Sequence, residues 1–128
     1  AFAKEAKIGG RRPADDPIVR RRLAELAVDL QITRLLALQN AYIIDKGMVP
    51  TKEASMVKVF NSELRYKVAC VGMDIMGPFG QVQRGSEWAP LQGRIESLFR
   101  AAPVARFGAG TNEVQRNIIA QRGLGLPR

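Results

Sequence analysis

The amino-acid sequence predicts an all-α fold, an antiparallel helical bundle. Apolar residues recur at intervals of three and four along most of the chain, which is the period of an amphipathic helix. Alanine, leucine and valine are the commonest apolar side chains and aromatic residues make up only 6% of the chain, which favours helices over a β-sandwich. Alternation with a period of two is not sustained anywhere. At 128 residues, the chain is expected to form one domain, 1–128.

The first part of the chain predicts the end of one helix and the whole of a second, long helix. Residues 1–9 are typical of a helix tail, and because the chain opens in this pattern without a methionine, we expect it to be a piece of a longer protein. Asp16 and Pro17 are typical of an N-cap and a first helical residue. This helix is expected to run to about Asp45 and to end at Gly47. Its predicted apolar face consists of Leu23, Leu26, Ala27, Leu30, Ile32, Leu35, Leu36 and Leu38.

Three further helices are predicted after Gly47. The first begins at Thr51 as N-cap and ends at Gly77–Pro78. A shorter helix follows Pro90 and ends or bends at Pro103. Thr111 is the predicted N-cap of the final helix, and the two long helices are expected to pack antiparallel with the shorter ones against them.

The composition excludes several kinds of function. The absence of histidine excludes histidine triads and histidine metal ligands, and the single cysteine, Cys70, excludes an intrachain disulfide. With no histidine and one cysteine, no metal site is expected. The formal net charge of +8 is typical either of a basic solvated surface or of a protein with an anionic partner. No apolar stretch approaches membrane-spanning length and no secretory signal is visible, so a cytoplasmic location is expected.

A glycine-rich loop runs directly into the final helix. Gly108 and Gly110 can adopt positive φ angles and let a ligand approach the backbone, and free N–H groups at the helix start can bind phosphate. The negative charge of Glu113 in the first turn interacts favourably with the helix dipole but would repel an anion bound there. From these residues alone, an ordinary capped helix start is favoured over a phosphate site.

The sequence resembles acyl-CoA dehydrogenases over essentially its whole length. The most specific part is Gly-Thr-Asn-Glu-Val-Gln-Arg-Asn-Ile-Ile-Ala at 110–120, which is similar to the closing signature of that family. The segment 98–102 resembles the stretch before this signature, and 55–60 resembles the second helix of the family's bundle. The segment 74–80 is similar to its helix-to-glycine turn, and 19–38 fits its long first helix.

This resemblance implies the C-terminal helical domain of a three-domain flavoenzyme, an antiparallel helical bundle of the four-helix up-and-down type. In the family, this bundle binds FAD together with a middle β-domain and a neighbouring subunit, and bundles pack in dimers and tetramers. The reaction is α,β-desaturation of an acyl-CoA thioester in fatty acid metabolism, in which the flavin takes a hydride and a glutamate takes the α-proton. The implied partners are acyl-CoA, an electron-accepting flavoprotein and other subunits in a homo- or hetero-oligomer.

The resemblance also assigns site residues by position. Gly110 is expected beside the acyl-CoA. The turn that meets FAD from the partner subunit departs from the family pattern, because Pro78 replaces a glycine and Asp74 replaces the usual glutamine. The expected FAD contacts are Thr111, Asn112, Glu113, Gly77 and Gly80.

The position at which many family members carry the catalytic glutamate is Ala109. A methyl group cannot accept a proton, so no catalytic residue is assigned within this chain. Three explanations stay open: a base on an earlier helix before Ala1, a catalytic partner subunit, or loss of the chemistry. Glu113 is the nearest carboxylate, but it falls on the helical side of the motif and is not assigned as the base.

Two other functions are considered beside an FAD-binding and oligomerisation domain that is inactive in isolation. One is a non-catalytic assembly subunit of such an enzyme. The other, less favoured, is a basic nucleic-acid-binding module, since the basic residues are dispersed and no helix-turn-helix spacing stands out. The Arg20–Arg22 cluster is interpreted as a solvated surface, and Tyr66 and Trp88 as packing anchors rather than base-stacking platforms.

Overall fold

The computed structural model describes residues 2–127 and confirms the predicted all-α class, with no β-strand in that range. Two long helices are followed by shorter ones that pack against the second of them. The α-helices are α1 (Phe2–Glu5), α2 (Pro17–Asp45), α3 (Lys52–Met76), α4 (Arg94–Ala101) and α5 (Asn112–Ile118). Short 3₁₀ segments cover Pro13–Asp15, Gly77–Gln81, Pro90–Gly93 and Ala102–Arg106, and a π-helical turn, Ile119–Gly123, continues α5.

Two ion pairs show that α2 and α3 are antiparallel. Arg22 Nη1 lies 2.6 Å from Asp74 Oδ2, and Lys67 Nζ lies 2.7 Å from Asp29 Oδ2, so residue numbers rise on α2 as they fall on α3. The two helices also enclose a small apolar core. Removing these apolar side chains from water stabilises the helix pair. The core consists of Leu26, Leu64 and Val71, flanked by Phe60, Val68 and Ile75.

Two of the three predicted N-caps are confirmed and one is wrong. Asp16 accepts a hydrogen bond from the Ile18 N–H at 2.7 Å, and Thr111 accepts one from Val114 N–H at 3.3 Å. Thr51 makes no side-chain cap bond, because its backbone is already helical at φ −97° and ψ −64°. An N-cap residue needs an extended backbone for its side chain to reach the first-turn N–H groups.

The predicted helix tail over 1–9 is too long, because α1 ends at Glu5 within the described residues. Ile8 and Arg11 pair with each other through two backbone hydrogen bonds of 2.9 and 3.2 Å. Gly9 and Gly10 form the turn between them with φ angles of +58° and +81°, a conformation that suits a two-residue turn and not a helix.

The predicted apolar face of α2 is largely uncovered in residues 2–127. Of the 29 residues of α2, only Leu26 is buried. Because an apolar side chain gains stability only when it leaves water, most of this face adds little to the fold of the single chain. The exposed apolar side chains include Val28, Leu30, Leu35, Leu38, Tyr42 and Ile44.

The glycine of α3 and the loop before α4 mark close approaches of backbone. A Cβ atom at Gly72 would lie 2.9 Å from Ile95 Cγ2, so its absence lets α4 approach α3. Leu91, Gln92 and Gly93 have successive left-handed φ angles of +51°, +57° and +70°. A Cβ atom at Gly93 would lie 2.5 Å from the Arg84 backbone nitrogen, so this turn sits directly on the preceding loop.

The two residues that we expected to be packing anchors behave differently. The Arg106 guanidinium lies over the ring of Tyr66, 4.7 Å from its centre, and Tyr66 is half-buried. Trp88 is 70% exposed, so the expectation is wrong there. Trp88 lies in the turns between the 3₁₀ segments after α3, where no helix covers it.

In residues 2–127, no helix has the length and apolar character needed to cross a membrane.

Candidate functional site

The first residue of α5, Asn112, is buried against the middle of α3. It is 2% exposed, and its side-chain carbonyl accepts hydrogen bonds from Lys58 Nζ at 2.7 Å and Ser62 Oγ at 3.0 Å. Its amide nitrogen donates to Glu63 Oε1 at 2.9 Å. A buried amide whose oxygen and nitrogen are both hydrogen-bonded in this way holds one defined position.

Glu63 connects the same cluster to two arginines. Its carboxylate accepts a hydrogen bond from Arg106 Nη2 and lies 3.5 Å from Arg116 Nη2. The hydrogen bond from Arg106 is the main cause that lowers the pKa of Glu63 below its ordinary value, and the Asn112 amide adds to it. Glu63 is therefore ionised at neutral pH and ties the residues on both sides of the glycine loop to α3.

The loop from Arg106 to Gly110 is held at both ends while its middle is exposed. Lys58 Nζ donates to the Arg106 backbone carbonyl at 3.0 Å, and Gln115 Nε2 donates to the Ala109 carbonyl at 3.1 Å. Ala109 and Gly110 have left-handed φ angles of +55° and +85°. A Cβ atom at Gly110 would lie 2.8 Å from Gln115 Nε2, so a side chain there would disturb the bond that holds the loop.

The other expected FAD contacts differ in how they are presented. Thr111 is half-buried and caps α5 with its hydroxyl, whereas the Glu113 side chain is 76% exposed. The backbone N–H of Glu113 and the Thr111 hydroxyl lower the pKa of the Glu113 carboxyl. A carboxylate with a lowered pKa is a weaker base.

The Gly77–Gly80 turn does not join these residues in one site. Gly77 ends α3 with φ +55° and Gly80 is buried against Met73 and Met76. About four turns of α3 separate Gly77 from Glu63, a distance of roughly 20 Å along the helix. The two groups of expected FAD contacts therefore lie in separate parts of a single chain.

Three residues of the cluster escaped the sequence interpretation. Lys58 and Ser62 are four residues apart on one face of α3, and Glu63 follows directly, so all three meet the start of α5. Their polar side chains interrupt the apolar face of α3, and this interruption is the signal that could have identified them. Among the described residues, no group of three histidine, cysteine, aspartate or glutamate side chains could hold a metal ion.

The fold and the site together define a helical domain that presents an exposed glycine loop immediately before α5. The family profile described as acyl-CoA dehydrogenase, C-terminal domain, matches residues 1–124. The chain belongs to the acyl-CoA dehydrogenase family and corresponds to its C-terminal domain.

Individual relatives agree with this assignment. Acyl-CoA dehydrogenase FadE26 of Mycobacterium tuberculosis is 37% identical over 94% of this chain and 31% of its own length. Caffeyl-CoA reductase-Etf complex subunit CarC of Acetobacterium woodii is 29% identical over 93% of this chain and 29% of its own. A chain in the ChsE4-ChsE5 complex from Mycobacterium tuberculosis superposes with a TM-score of 0.88 at 33% identity, covering 99% of this chain and 33% of that one. The chain thus spans about a third of the length of these relatives.

Replacing Asn112 by alanine is expected to lower the free energy of unfolding by about 2–4 kcal/mol, because Lys58, Ser62 and Glu63 lose a buried partner. Chemical unfolding followed by circular dichroism measures this change. Asn117→Ala on the same helix is the matched control, since Asn117 is exposed, and we expect a change within about 0.5 kcal/mol. Equal effects of the two substitutions would contradict the role of the buried cluster.

The lowered pKa of Glu63 predicts a pH-dependent contribution to stability. A carboxyl with a folded-state pKa below its ordinary value of 4.5 stabilises the fold above that pH, and the contribution is lost as the pH falls through the folded-state pKa. Urea unfolding of the unmodified chain and of Glu63→Gln should therefore differ at neutral pH and converge below about pH 4.5. Glu87→Gln is the control, because Glu87 has no ion pair within residues 2–127. A gap between the unmodified chain and Glu63→Gln that does not change with pH would refute the prediction.

Proposed function

We propose that this chain is the FAD-binding and oligomerisation domain of a flavoenzyme that desaturates acyl-CoA thioesters between the α and β carbons. The observation that carries the proposal is the glycine loop, which is exposed at Ala109 and Gly110 and yet held in place through Lys58, Gln115 and Asn112. A loop fixed by its ends presents a defined backbone surface to a ligand, and a preorganised surface loses little conformational entropy on binding.

The loop residues fit a large, flat ligand that approaches the backbone. Phe107 is 66% exposed, and Gly108, Ala109 and Gly110 carry at most a methyl group. We assign FAD contacts to Thr111, Asn112 and Glu113. The Asn112 side chain is already bonded to α3, so its contact would be through the backbone, while the exposed Glu113 carboxylate suits hydroxyl groups better than phosphate. FAD, when bound, would supply the group that accepts a hydride from the substrate β-carbon.

A second set of contacts is assigned to Gly77 and Gly80, for the flavin of a neighbouring subunit. Neither glycine carries a side chain, and a Cβ atom at Gly80 would lie 3.2 Å from the Met73 sulfur, so this turn depends on small residues. Asp74 forms an ion pair with Arg22, whose Nη1 atom lies 2.6 Å from Asp74 Oδ2. That ion pair fixes the end of α3 against α2 just before the turn.

The proton chemistry is assigned to a group outside these residues. Ala109 has only a methyl group, and Glu113 has a lowered pKa and points to solvent. Gly110 remains the proposed neighbour of the acyl-CoA. The base is then supplied by a preceding part of the full chain or by a partner subunit.

The proposed partners are the acyl-CoA substrate, an electron-accepting flavoprotein and other subunits. The name of the CarC relative, which includes an Etf complex, supports the electron acceptor. The cytoplasmic location and the single domain over 1–128 stay predictions.

The FAD assignment is tested with the full-length protein that contains this chain. We expect it to retain FAD after gel filtration and Gly110→Ala to weaken FAD binding by about tenfold, equivalent to ~1.4 kcal/mol of backbone strain and contact with Gln115. Gly125→Ala is the control, because Gly125 also has a positive φ angle but no atom within 4 Å of the added Cβ.

Full-length protein without FAD would overturn the assignment. The 128-residue chain alone, mixed with FAD and acyl-CoA, is expected to leave the visible absorbance of the flavin unchanged. Bleaching of the flavin by acyl-CoA in that mixture would show that these residues suffice for the chemistry.

A second candidate, a non-catalytic assembly subunit, is favoured by the exposed face of α2 together with Ala109. Leu35, Leu38 and Tyr42 recur at helical spacing and are 65%, 56% and 61% exposed. An apolar stripe of this length is typical of a surface that another protein covers. The similar ChsE4-ChsE5 structure is that of a complex, which supports a hetero-oligomer as one arrangement.

Replacing Leu35 and Leu38 together by glutamate is expected to weaken self-association at least about tenfold, because each loses the burial of a leucine side chain. Light scattering over a concentration series measures the dissociation constant. Gln39→Glu is the matched control, since it adds a charge at an exposed polar position of the same helix. A strictly monomeric unmodified chain at high concentration would argue against assembly through α2.

A further inference from the structure

Three arginines from different parts of the chain surround one cavity on the side of α3 that faces α4. Arg65 of α3, Arg84 of the loop after α3 and Arg94, the first residue of α4, line a surface cavity of about 390 Å³. No carboxylate lines it. Gln92, Gly93, Ser97, Leu98 and Ala101 complete the lining.

These three guanidinium groups have no counter-ion in the part of the chain that the structure describes. None of them forms an ion pair within 4.0 Å or a side-chain hydrogen bond in residues 2–127, whereas most acidic groups elsewhere are paired. Glu96, next to the cavity, is engaged by Arg100 at 2.5 Å. Glu87 lines an adjoining cavity and not this one.

The backbone brings the arginines together at some cost. Gly93 touches the Arg84 backbone, so Arg84 and Arg94 start from adjacent points of the chain. Leu91 and Gln92 adopt left-handed conformations to make this contact, and such φ angles are unfavourable for residues other than glycine. Arg65 reaches the same cavity from α3, where it lies two residues after Glu63 and about one helical turn after Ser62.

We propose that the Arg65–Arg84–Arg94 cavity is a binding site for the phosphate group of a small molecule. Three uncompensated guanidinium groups create a positive potential, and each presents paired N–H donors that match phosphate oxygens. Ser97 and Gln92 add neutral hydrogen-bond donors at the rim. The lining of the cavity shares no residue with the Asn112 cluster or the glycine loop, and Arg84 follows the Gly77–Gly80 turn by four residues.

The test is a titration of the 128-residue chain at constant ionic strength. The probes are inorganic phosphate, pyrophosphate and adenosine monophosphate, with chloride as the salt control. Trp88, the single tryptophan of the chain, lies four residues after Arg84 and gives a fluorescence signal, and isothermal titration calorimetry gives the same constants without relying on it.

Saturable binding of at least one phosphate probe is expected, with about tenfold weaker affinity in Arg84→Gln and in Arg94→Gln, the effect of losing one charged hydrogen bond. Arg84→Lys should fall between Arg84→Gln and the unmodified chain, because it keeps the charge and loses the paired donors. Arg34→Gln is the matched control, since Arg34 is exposed on α2 and lies outside the cavity, and it should bind as the unmodified chain does.

The probes also distinguish the source of the phosphate group. Adenosine monophosphate binding at least tenfold tighter than inorganic phosphate indicates a phosphate ester, and equal affinities indicate free phosphate. Circular dichroism confirms that each variant is folded. Absence of saturable binding by both methods, or equal affinities in the unmodified chain, Arg84→Gln and Arg94→Gln, overturns the proposal.

Discussion

The buried amide of Asn112 is the constraint on which the C-terminal part of this structure depends. A seven-residue helix is too short to be stable by itself, and the loop before it exposes almost all of its side chains. Both segments are held by the hydrogen bonds that Asn112 accepts from Lys58 and Ser62 and donates to Glu63 on α3. Because a buried polar group is costly when any partner is missing, the cluster allows few alternative arrangements of the loop.

The same cluster shows where interpretation from sequence succeeds and where it stops. The helix starts at Asp16 and Thr111 depend on neighbouring residues, so local patterns predict them. The bonds of Asn112 join residues about 50 positions apart, and no local pattern encodes such a pairing. Thr51 had the right residue type for a cap, but the backbone entering α3 decided the outcome. The resemblance identified the family, while the burial of Asn112 became visible only in the folded chain.

The net charge of the chain likewise predicts a property without locating it in the fold. The net charge of +8 suggests an anionic partner but does not say where it would bind. In the folded chain, Arg22 and Lys67 neutralise carboxylates between α2 and α3, and Arg106 neutralises Glu63 beneath the glycine loop. The excess positive charge is therefore concentrated at positions that the ion pairs leave out. Likewise, periodicity identified the apolar face of α2, but what covers such a face is decided by partners rather than by the pattern itself.

The left-handed conformation of Ala109 has a consequence for how activity can be gained or lost in this fold. Non-glycine residues adopt such a φ angle only at a cost, yet the alanine keeps it, because Gln115 and the α3 cluster hold the loop from outside. The hydrogen bond from Gln115 thus uses the backbone of residue 109 and not its side chain. A carboxylate could be added or removed there by a single substitution without removing this bond. Such a substitution would change the chemistry that the loop can carry and leave in place the contacts that shape it.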